Sequence, residues 1–222
     1  PLMRRIPAGT NFVLDEAATI EGIAITNAKL WLPVLRPTLE PWLDLELVVD
    51  ESISMQIWRQ TIRDLEKFLK NYGIFRDVRV WGMTAKDGEK VQVCRGVGAG
   101  TKNKFPRSSK ELIDGSDRRL ILVVSDCVSS SWRDGTVTKA LEIWANSVPT
   151  AIIQMLPKWL WKRTALGRAS EVKLRALAPG VSNQNLIVEE VSLWEELETK
   201  KGVKVPIFTL EEDKATTWAQ ML

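Results

Sequence analysis

The hydrophobic pattern of the chain divides it into strand-like and helix-like segments. Mainly apolar runs at residues 43–49 and 120–124 have the length and the leucine, isoleucine and valine content of buried strands. Further strands are predicted between turn residues at 77–83, 90–95, 150–156, 171–177 and 205–210. Because proline lacks a backbone N–H, Pro206 indicates that the last of these strands lies at an edge of the sheet.

Helical spacing of apolar residues is clearest after Ser54. Apolar side chains recur there from Ile57 to Leu69, and Gly73 provides the expected stop at the C-terminal end. Other helices are predicted at 134–146, at the tryptophan-rich segment 158–164 and at 213–222, with short helices near 15–21 and 108–113. Residues 178–202 are predicted to be a loop with a helical piece near 191–199.

Strands that alternate with helices favour an α/β fold. We predict a doubly wound, mostly parallel central sheet flanked by helices, contained in residues 41–222. Residues 1–40 are predicted to form an irregular, basic N-terminal arm that includes the short helix at 15–21. The chain contains no internal repeat and no low-complexity segment, so a single α/β domain with this arm is expected.

Composition narrows the range of functions. The 222 residues include 31 basic and 28 acidic side chains, and this net charge of +3 is too balanced to indicate nucleic-acid binding. A basic segment at 102–110 contains Phe105 as its single aromatic residue and is interpreted as a solvated loop, so no nucleic-acid partner is expected. Histidine is absent, which excludes histidine-based triads and imidazole zinc sites and argues against an enzyme.

The cysteines and tryptophans of the chain give little indication of a catalytic or metal-binding role. Two cysteines without metal-binding spacing favour a reducing, cytoplasmic location, and no apolar run is long enough to indicate a membrane partner. Cys127 has no histidine or second thiol to activate it and is expected to pack in the core. Core packing is also expected for the tryptophans that fall in predicted elements, namely Trp42, Trp58, Trp81, Trp144 and Trp159.

A group of oxygen-bearing side chains follows the first apolar run. Asp50, Ser52 and Ser54 form an Asp-x-Ser-x-Ser sequence at the expected carboxyl end of a buried strand, where open α/β sheets place ligand sites. One carboxylate and two hydroxyls are hard ligands that suit Mg²⁺. The same residues are also typical of a helix N-cap, and this alternative stays open at the level of the motif alone.

The second apolar run also ends near an aspartate, Asp126. Parallel strands would bring Asp50 and Asp126 to one edge of the sheet, with the two serines between them. Two adjacent carboxylates repel each other, so a divalent cation is the natural group to neutralise them. The alternative is that Asp126 only caps the following turn.

This combination resembles the von Willebrand factor A fold and its metal-ion-dependent adhesion site. Asp50, Ser52 and Ser54 match the first part of that site, and Asp126 in Ser-Asp-Cys matches the last. The family also uses a threonine from a middle loop; Thr101 is the first choice for it and Ser108 the second. The resemblance implies a bound Mg²⁺, or Mn²⁺ or Ca²⁺, and a protein partner whose acidic residue completes the coordination.

A closer resemblance covers nearly the whole chain. It rests on Leu-Trp-Leu-Pro-Val-Leu-Arg-Pro at 30–37, Trp-Leu-Asp-Leu at 42–45, Phe-Arg-Asp-Val-Arg-Val-Trp at 75–81, Ser-Asp-Cys at 125–127 and Ser-Trp-Arg-Asp-Gly at 131–135. These motifs are similar to bacterial von Willebrand A-like N-terminal modules of multi-component conflict systems, which are thought to act in antiviral defence. Several such proteins are proposed targets of diversity-generating retroelements. The resemblance implies a fragment of a longer chain, whose further partners are an ATPase, a signalling domain or a formylglycine-generating-enzyme-like domain.

Three functions follow from these observations. The leading hypothesis is a non-enzymatic, divalent-cation-dependent protein-interaction module. The second is a structural scaffold with a vestigial metal site, in which the tryptophan-rich helix at 158–164 would dock a neighbouring domain. The third is a Mg²⁺-dependent phosphoryl-transfer enzyme or nuclease. Against the third, the glycine-rich sequence at 96–101 lacks the lysine of a phosphate-binding loop.

Overall fold

The first forty residues contain regular structure, so the prediction of an irregular arm is wrong in this respect. The computed structural model describes residues 2–27, 29–85, 89–98, 105–115, 118–189, 202–211, 216, 218 and 219. Strand β1 (Arg5–Leu14) pairs antiparallel with β2 (Leu35–Pro41), and helix α1 (Glu16–Ile25) connects them. Most side chains of both strands are exposed, so their sequences carry no alternating apolar pattern by which they could have been predicted.

The chain divides into two compact units. One spans Met3–Trp42, and the other contains Leu43–Leu222 with the first two residues of the chain. The boundary predicted from the sequence lies between residues 40 and 41, two residues earlier. The predicted metal-binding residues after the first apolar run and Asp126 after the second all belong to the second unit, which also contains the main sheet.

The second unit is built on a seven-stranded sheet, and the predicted α/β fold with a mostly parallel sheet is confirmed. The apolar run after Leu43 forms β3 (Asp44–Asp50), and the run at 120–124 forms β7 (Arg119–Ser125); both strands are buried over their whole length. The other strands of this sheet are β4 (Asp77–Thr84), β5 (Gln92–Arg95), β6 (Arg107–Ser108), β8 (Thr150–Gln154) and β11 (Ile207–Phe208).

The strand order places β3 and β7 side by side near the middle of the sheet. The order is β11-β8-β7-β3-β4-β5-β6, with β5 and β6 antiparallel to their neighbours and the others parallel. After β3 the chain adds β4 on one side, and it later returns to add β7 on the other. Among the described strands β11 pairs with β8 and lies at the end of the sheet, which confirms the edge position that Pro206 predicts.

Helices connect the parallel strands. Helix α2 (Arg59–Asn71) links β3 to β4, and Gly73 follows it with a positive φ of 63°, as the predicted helix stop requires. A short helix α3 (Ser130–Arg133) and the longer α4 (Thr136–Ser147) link β7 to β8. Five residues of α4 are buried against the sheet, namely Val137, Ala140, Leu141, Trp144 and Ala145.

Two predicted elements differ from the structure. The tryptophan-rich segment at Lys158–Arg163 is a 3-10 helix rather than an α-helix, and a second 3-10 turn follows at Ala165–Arg168. The segment predicted as a strand at 171–177 contributes β9 (Lys173–Arg175), which pairs with β10 (Ile187–Glu189) in a separate two-stranded sheet. The helix predicted near 191–199 lies outside the described residues, and so does most of the helix predicted at 213–222.

Buried tryptophans use their indole N–H groups inside the core. Trp81 Nε1 donates to Glu46 Oε2 at 2.5 Å, and Trp144 Nε1 donates to the backbone oxygen of Ser109 at 2.7 Å. Such pairing is needed because a buried N–H without an acceptor costs free energy. The core position predicted for Trp42, Trp81 and Trp144 is therefore confirmed; Trp58 is only half-buried, and Trp159 is exposed, contrary to prediction.

Ion pairs link the central strands near their amino ends. Asp44 on β3 receives two hydrogen bonds from Arg76, at 2.8 and 2.5 Å. Glu46, two residues further along β3, lies 3.1 Å from Arg79 Nη1 and 3.3 Å from Arg119 Nε. Within the described part of the chain Arg119 Nε makes no hydrogen bond, so its contact with Glu46 is an ion pair. Charged groups thus link β3, β4 and β7 on the side away from the candidate site.

None of the described helices is both long enough and apolar enough to span a bilayer.

Candidate metal centre

The carboxyl ends of β3 and β7 meet at one edge of the sheet, where the strand order changes direction. The two strands pair in parallel with Val49 opposite Val124, so the predicted juxtaposition of the two strand ends is confirmed. Asp50 ends β3 and Asp126 follows directly after β7, and only 5% and 3% of their surfaces are exposed. Open α/β sheets bind ligands at this kind of position.

The Asp50 carboxylate accepts hydrogen bonds from three separate groups. Its Oδ1 accepts from the backbone N–H of Ser52 at 2.9 Å. Its Oδ2 accepts from Ser125 Oγ at 2.7 Å and from Trp132 Nε1 at 2.9 Å. Ser125 belongs to β7 and Trp132 to α3, so Asp50 connects the ends of both central strands with the helix that follows them.

Ser52 and Ser54 bring two hydroxyls together beside Asp50. Their Oγ atoms lie 3.3 Å apart, and both residues are half-buried. Ser52 precedes the 3-10 helix Ile53–Trp58, but its side chain makes no capping hydrogen bond. The N-cap alternative for the serine hydroxyls is therefore not supported by the structure, and both hydroxyls face each other instead.

Asp126 is fixed by its own turn and by its neighbours. Its Oδ1 accepts from the backbone N–H of Val128 at 3.1 Å, so the turn-capping role considered for this residue is present. The Asp126 backbone N–H contacts Met55 Sδ at 3.2 Å, and Gln154 at the end of β8 donates to the Asp126 backbone oxygen at 3.2 Å. Capping uses one carboxylate oxygen, so it does not exclude a ligand on the other.

Cys127 follows Asp126 directly and is fully buried. Burial, together with the charges of Asp50 and Asp126, raises the pKa of its thiol far above the ordinary value. The backbone at Cys127 has a positive φ of 56°, which is uncommon for a residue with a side chain. A fully buried, protonated thiol is a poor nucleophile, and the predicted packing role of Cys127 is confirmed.

The middle hydroxyl predicted from the family resemblance has no observed position in the site. Thr101, the first choice, lies outside the described residues. Ser108, the second choice, is wrong: it lies on β6, three strands away from β3, a separation of roughly 14 Å at the usual strand spacing. Its hydroxyl is exposed and accepts from the backbone N–H of Lys110 at 3.3 Å.

Several residues of the site were not predicted as site residues from the sequence. Ser125 and Trp132 hold the Asp50 carboxylate, and Ser129 Oγ lies 3.0 Å from Ser131 Oγ in the turn after Asp126. The second Ser-x-Ser pair was visible as a repetition of the first, after the second strand-end aspartate. The role of Trp132 was not, because its contact with Asp50 spans 82 positions of the chain.

The Glu51 carboxyl lies beside Gly82 of β4 and the segment that follows β5. Its Oε1 accepts from the backbone N–H of Gly98 at 2.9 Å. A Cβ atom at Gly82 would lie 2.7 Å from the Glu51 carboxyl and 3.0 Å from the backbone oxygen of Gly96. Glycine at position 82 therefore allows Glu51 to reach the start of the loop at 96–98.

Among the described residues, no three histidine, cysteine, aspartate or glutamate side chains cluster as metal ligands would. The candidate centre contains two carboxylates and depends on hydroxyls for the remaining donors, which is a different composition from such a cluster. Comparison of the chain with protein-family models, curated proteins and solved structures gave no significant match. The interpretation of the site therefore depends on its own geometry and on the sequence motifs.

Proposed function

We propose that this chain is a non-enzymatic protein-interaction module whose contact with its partner depends on a divalent cation. Asp50, Ser52, Ser54 and Asp126 would hold Mg²⁺, with Mn²⁺ or Ca²⁺ as alternatives, and an acidic residue of the partner would complete the coordination. The proposal is carried by one observation: buried aspartates lie at the ends of the adjacent parallel strands β3 and β7 at the carboxyl edge of the sheet, and directly after Asp50 the hydroxyls of Ser52 and Ser54 lie 3.3 Å from each other.

The donor set fits a hard cation. Asp50 Oδ1 accepts one hydrogen bond and keeps capacity for a further partner, because a carboxylate oxygen has two acceptor positions. Asp126 Oδ1 also accepts one hydrogen bond. Hydroxyl ligands carry no charge, so a cation bound here would remain electrophilic enough to attract a partner carboxylate. Thr101 stays a candidate for a further hydroxyl, since nothing described places it.

The strand order supports a doubly wound, von Willebrand A-like fold. The connections through α2 and α4 leave the centre of the sheet in opposite directions. If both connections are right-handed, as nearly all are, the two helices cover opposite faces. In a doubly wound sheet the ligand crevice lies where the strand order reverses, which here is between the carboxyl ends of β3 and β7.

We also propose that the module belongs to a bacterial conflict or antiviral defence system and acts in the cytoplasm with other domains of a longer chain. The motifs that suggest this family have defined structural roles here. In the motif at 131–135, Trp132 donates to Asp50, Asp134 accepts from Thr136 N–H at 2.8 Å, and Gly135 has a positive φ of 83°. In the motif at 75–81, Trp81 donates to Glu46.

Metal binding should be measured by calorimetric titration of Mg²⁺ and Mn²⁺ into the chain and into variants of the two serines. Ser52→Ala/Ser54→Ala removes both hydroxyls and leaves every hydrogen bond to the Asp50 carboxylate in place. We expect at least a roughly tenfold loss of affinity, since ligand-shell changes typically cost this much. Asp50→Ala should abolish binding of the metal.

Ser147→Ala is the matched control, because Ser147 is an exposed serine at the far end of α4 whose hydroxyl only contacts Ile143 O. It should bind metal like the unchanged chain. Circular dichroism of each variant would verify that it is folded. If the unchanged chain shows no Mg²⁺- or Mn²⁺-binding heat, or if the serine variant binds as well as the Ser147 variant, the proposal is wrong.

A scaffold without metal chemistry is the second candidate. The observation that favours it is the pair of donors on Asp50 Oδ2, Ser125 and Trp132, because a carboxylate so engaged already connects β3, β7 and α3. On this alternative, Asp50→Asn would lower stability, because an amide has one acceptor oxygen where the carboxylate has two and its NH2 group would face a donor, while Mg²⁺ has no effect on the unchanged chain. Thermal unfolding with and without 5 mM Mg²⁺, roughly a saturating level for a weak site, separates the two.

A further inference from the structure

Large apolar side chains are exposed around the candidate metal centre. Ile53 and Ile57 lie on the 3-10 helix that follows Ser52 and are 86% and 78% exposed. Trp159, on the 3-10 helix after β8, is 75% exposed. Clustered exposure of large apolar residues at one edge is characteristic of a contact surface rather than of an inert one.

These segments are connected to one another by direct contacts. Met55 Sδ receives the Asp126 backbone N–H, and the Ala165 backbone N–H donates to Cys127 O at 3.0 Å. Arg133 Nη2 donates to the backbone oxygen of Arg163 at 3.4 Å. The loops after β3, β7 and β8 therefore form one connected surface, and the metal centre lies within it.

The part of this surface after β8 is strongly basic. Residues 157–175 include six lysines and arginines and a single acidic residue, Glu171, which pairs with Lys158 at 2.5 Å. The exposed cations Arg133, Lys162, Arg163 and Arg168 have no carboxylate within ion-pair distance in the described part of the chain. Because the whole chain carries only +3, this local excess of positive charge is a property of the surface.

We infer that this edge surface, defined by Ile53, Ile57, Arg133, Trp159, Arg163 and Arg168, binds a protein segment in which glutamates or aspartates surround apolar side chains. The arginines would pair with the carboxylates, and Trp159 and the two isoleucines would pack against the apolar residues. The inference deepens the proposed function, on which it rests for the metal-bound carboxylate, by naming the composition of the partner around that carboxylate.

A protein partner is favoured over nucleic acid for two reasons. Exposed isoleucines offer apolar contacts that a sugar–phosphate backbone does not use, and Trp159 is the single largely exposed aromatic of the three loops, whereas single-strand binding uses several stacking platforms. The indole of Trp161 is half-buried and donates to Leu156 O at 2.9 Å, so it is held in place.

The test uses the full chain and a fluorescein-labelled synthetic peptide in which glutamates alternate with leucines. Its matched probe has glutamine in place of every glutamate, and a single-stranded oligothymidine of similar length represents nucleic acid. Binding is followed by fluorescence anisotropy, in Mg²⁺ and in excess chelator. The substitution Arg163→Glu/Arg168→Glu reverses two exposed charges of the edge surface. Arg63→Glu/Lys67→Glu reverses two exposed charges on α2 and serves as the control.

We expect the unchanged chain and the α2 control to bind the acidic peptide better than the glutamine peptide. Arg163→Glu/Arg168→Glu should weaken that binding at least roughly tenfold, since two attractive contacts become repulsive. Trp159→Ala should weaken it as well. The inference is overturned if the two charge-reversal variants bind equally, if both peptides bind equally, or if oligothymidine binds more tightly than the acidic peptide.

The two proposals fail in different ways. If chelator and Ser52→Ala/Ser54→Ala leave peptide binding unchanged while Arg163→Glu/Arg168→Glu abolishes it, the surface is real and the metal is not part of the contact. If the chain binds Mg²⁺ in the titration but Arg163→Glu/Arg168→Glu binds the acidic peptide normally, the proposed metal centre is supported and the proposed edge surface is wrong.

Discussion

Glu46 shows how a charged side chain is accommodated inside the sheet. It is 1% exposed, and burial raises the pKa of its carboxyl above the ordinary value of 4.5, although the hydrogen bond from Trp81 and the charges of Arg119 and Arg79 lower it. Both arginines have other partners: Arg79 contacts Asp77 at 2.7 Å, and Arg119 donates to Leu112 O at 2.9 Å. The charge on Glu46 is therefore less important to the fold than the acceptor that it offers to Trp81.

We predict that Glu46→Gln has nearly the same free energy of unfolding as the unchanged chain at pH 7, or a slightly higher one. Glutamine keeps an acceptor for Trp81 Nε1 and removes the cost of a buried charge. The native state holds the Glu46 proton more tightly than the unfolded state, so the unchanged chain loses stability as the pH rises from 4.5 through the raised pKa. Glu46→Gln lacks this loss.

Urea unfolding of both proteins between pH 4 and pH 8 would measure this difference. Glu46→Leu is the comparison, because it leaves the Trp81 indole N–H without an acceptor and should lower the free energy of unfolding by about 1–3 kcal/mol. The opposite ranking, with glutamine more destabilising than leucine at pH 7, would show that the ionic contacts of Glu46 dominate.

At the scale of elements, the position of Glu51 depends on the absence of a side chain in β4. Gly82→Ala would place a Cβ 2.7 Å from the Glu51 carboxyl and 3.0 Å from the Gly96 backbone oxygen. We expect the Glu51 side chain to move, the hydrogen bond to Gly98 N–H to be lost, and the free energy of unfolding to fall by about 1–3 kcal/mol. Amide exchange at Gly98 should accelerate.

Gly115→Ala is the control for this prediction, since a Cβ there meets nothing within 4 Å and the backbone is not left-handed. It should leave both stability and exchange at Gly98 unchanged. If the two alanine variants behaved alike, the close approach at Gly82 would have no structural importance.

The sequence predicted strands and long helices better than short irregular elements. β3, β7 and α2 have strong patterns because each buries a whole run or one face. The 3-10 helix at Lys158–Arg163 has helix-forming composition, but composition over six residues does not distinguish a 3-10 helix from an α-helix. β9 alternates as a strand should, yet the pattern does not say which sheet it joins, and its partner is β10.

At the scale of the whole molecule, the two units differ in how they bury apolar residues. The core cluster extends from Val48 to Ile152 and lies entirely within the larger unit. In the unit Met3–Trp42, many large apolar side chains are exposed, among them Trp31 at 70% and Ile25 at 75%. Forty residues with so few buried side chains are below the size at which a domain usually folds alone.

We predict that a chain starting at Leu43 keeps a cooperative thermal transition, whereas a peptide of residues 1–42 is unfolded in solution. The first keeps every residue of the core cluster, and the second has no core of its own. Circular dichroism of the two pieces, recorded beside the full chain, would test this. A folded 1–42 peptide, or a shortened chain without a transition, would contradict this prediction.

The candidate site could be predicted only in part. Asp50 and Asp126 follow apolar strands, so their meeting at one edge follows from parallel pairing. The donors that hold Asp50 could not be predicted, because Ser125 and Trp132 are 75 and 82 positions away and only the packing of β7 and α3 brings them to it. Ser108 was misplaced because the sequence does not reveal that β6 continues the sheet beyond β5.

The ion pairs around Glu46 and Asp44 are separated along the sheet from the contact surface that we propose. They lie toward the amino ends of β3, β4 and β7, whereas the loops after β3, β7 and β8 emerge at the opposite ends. Residues in those loops, such as Ile53 or Trp159, can therefore be exchanged without altering a strand register. A domain built in this way can acquire new binding specificities by varying its loops, as other scaffolds with rigid sheets do.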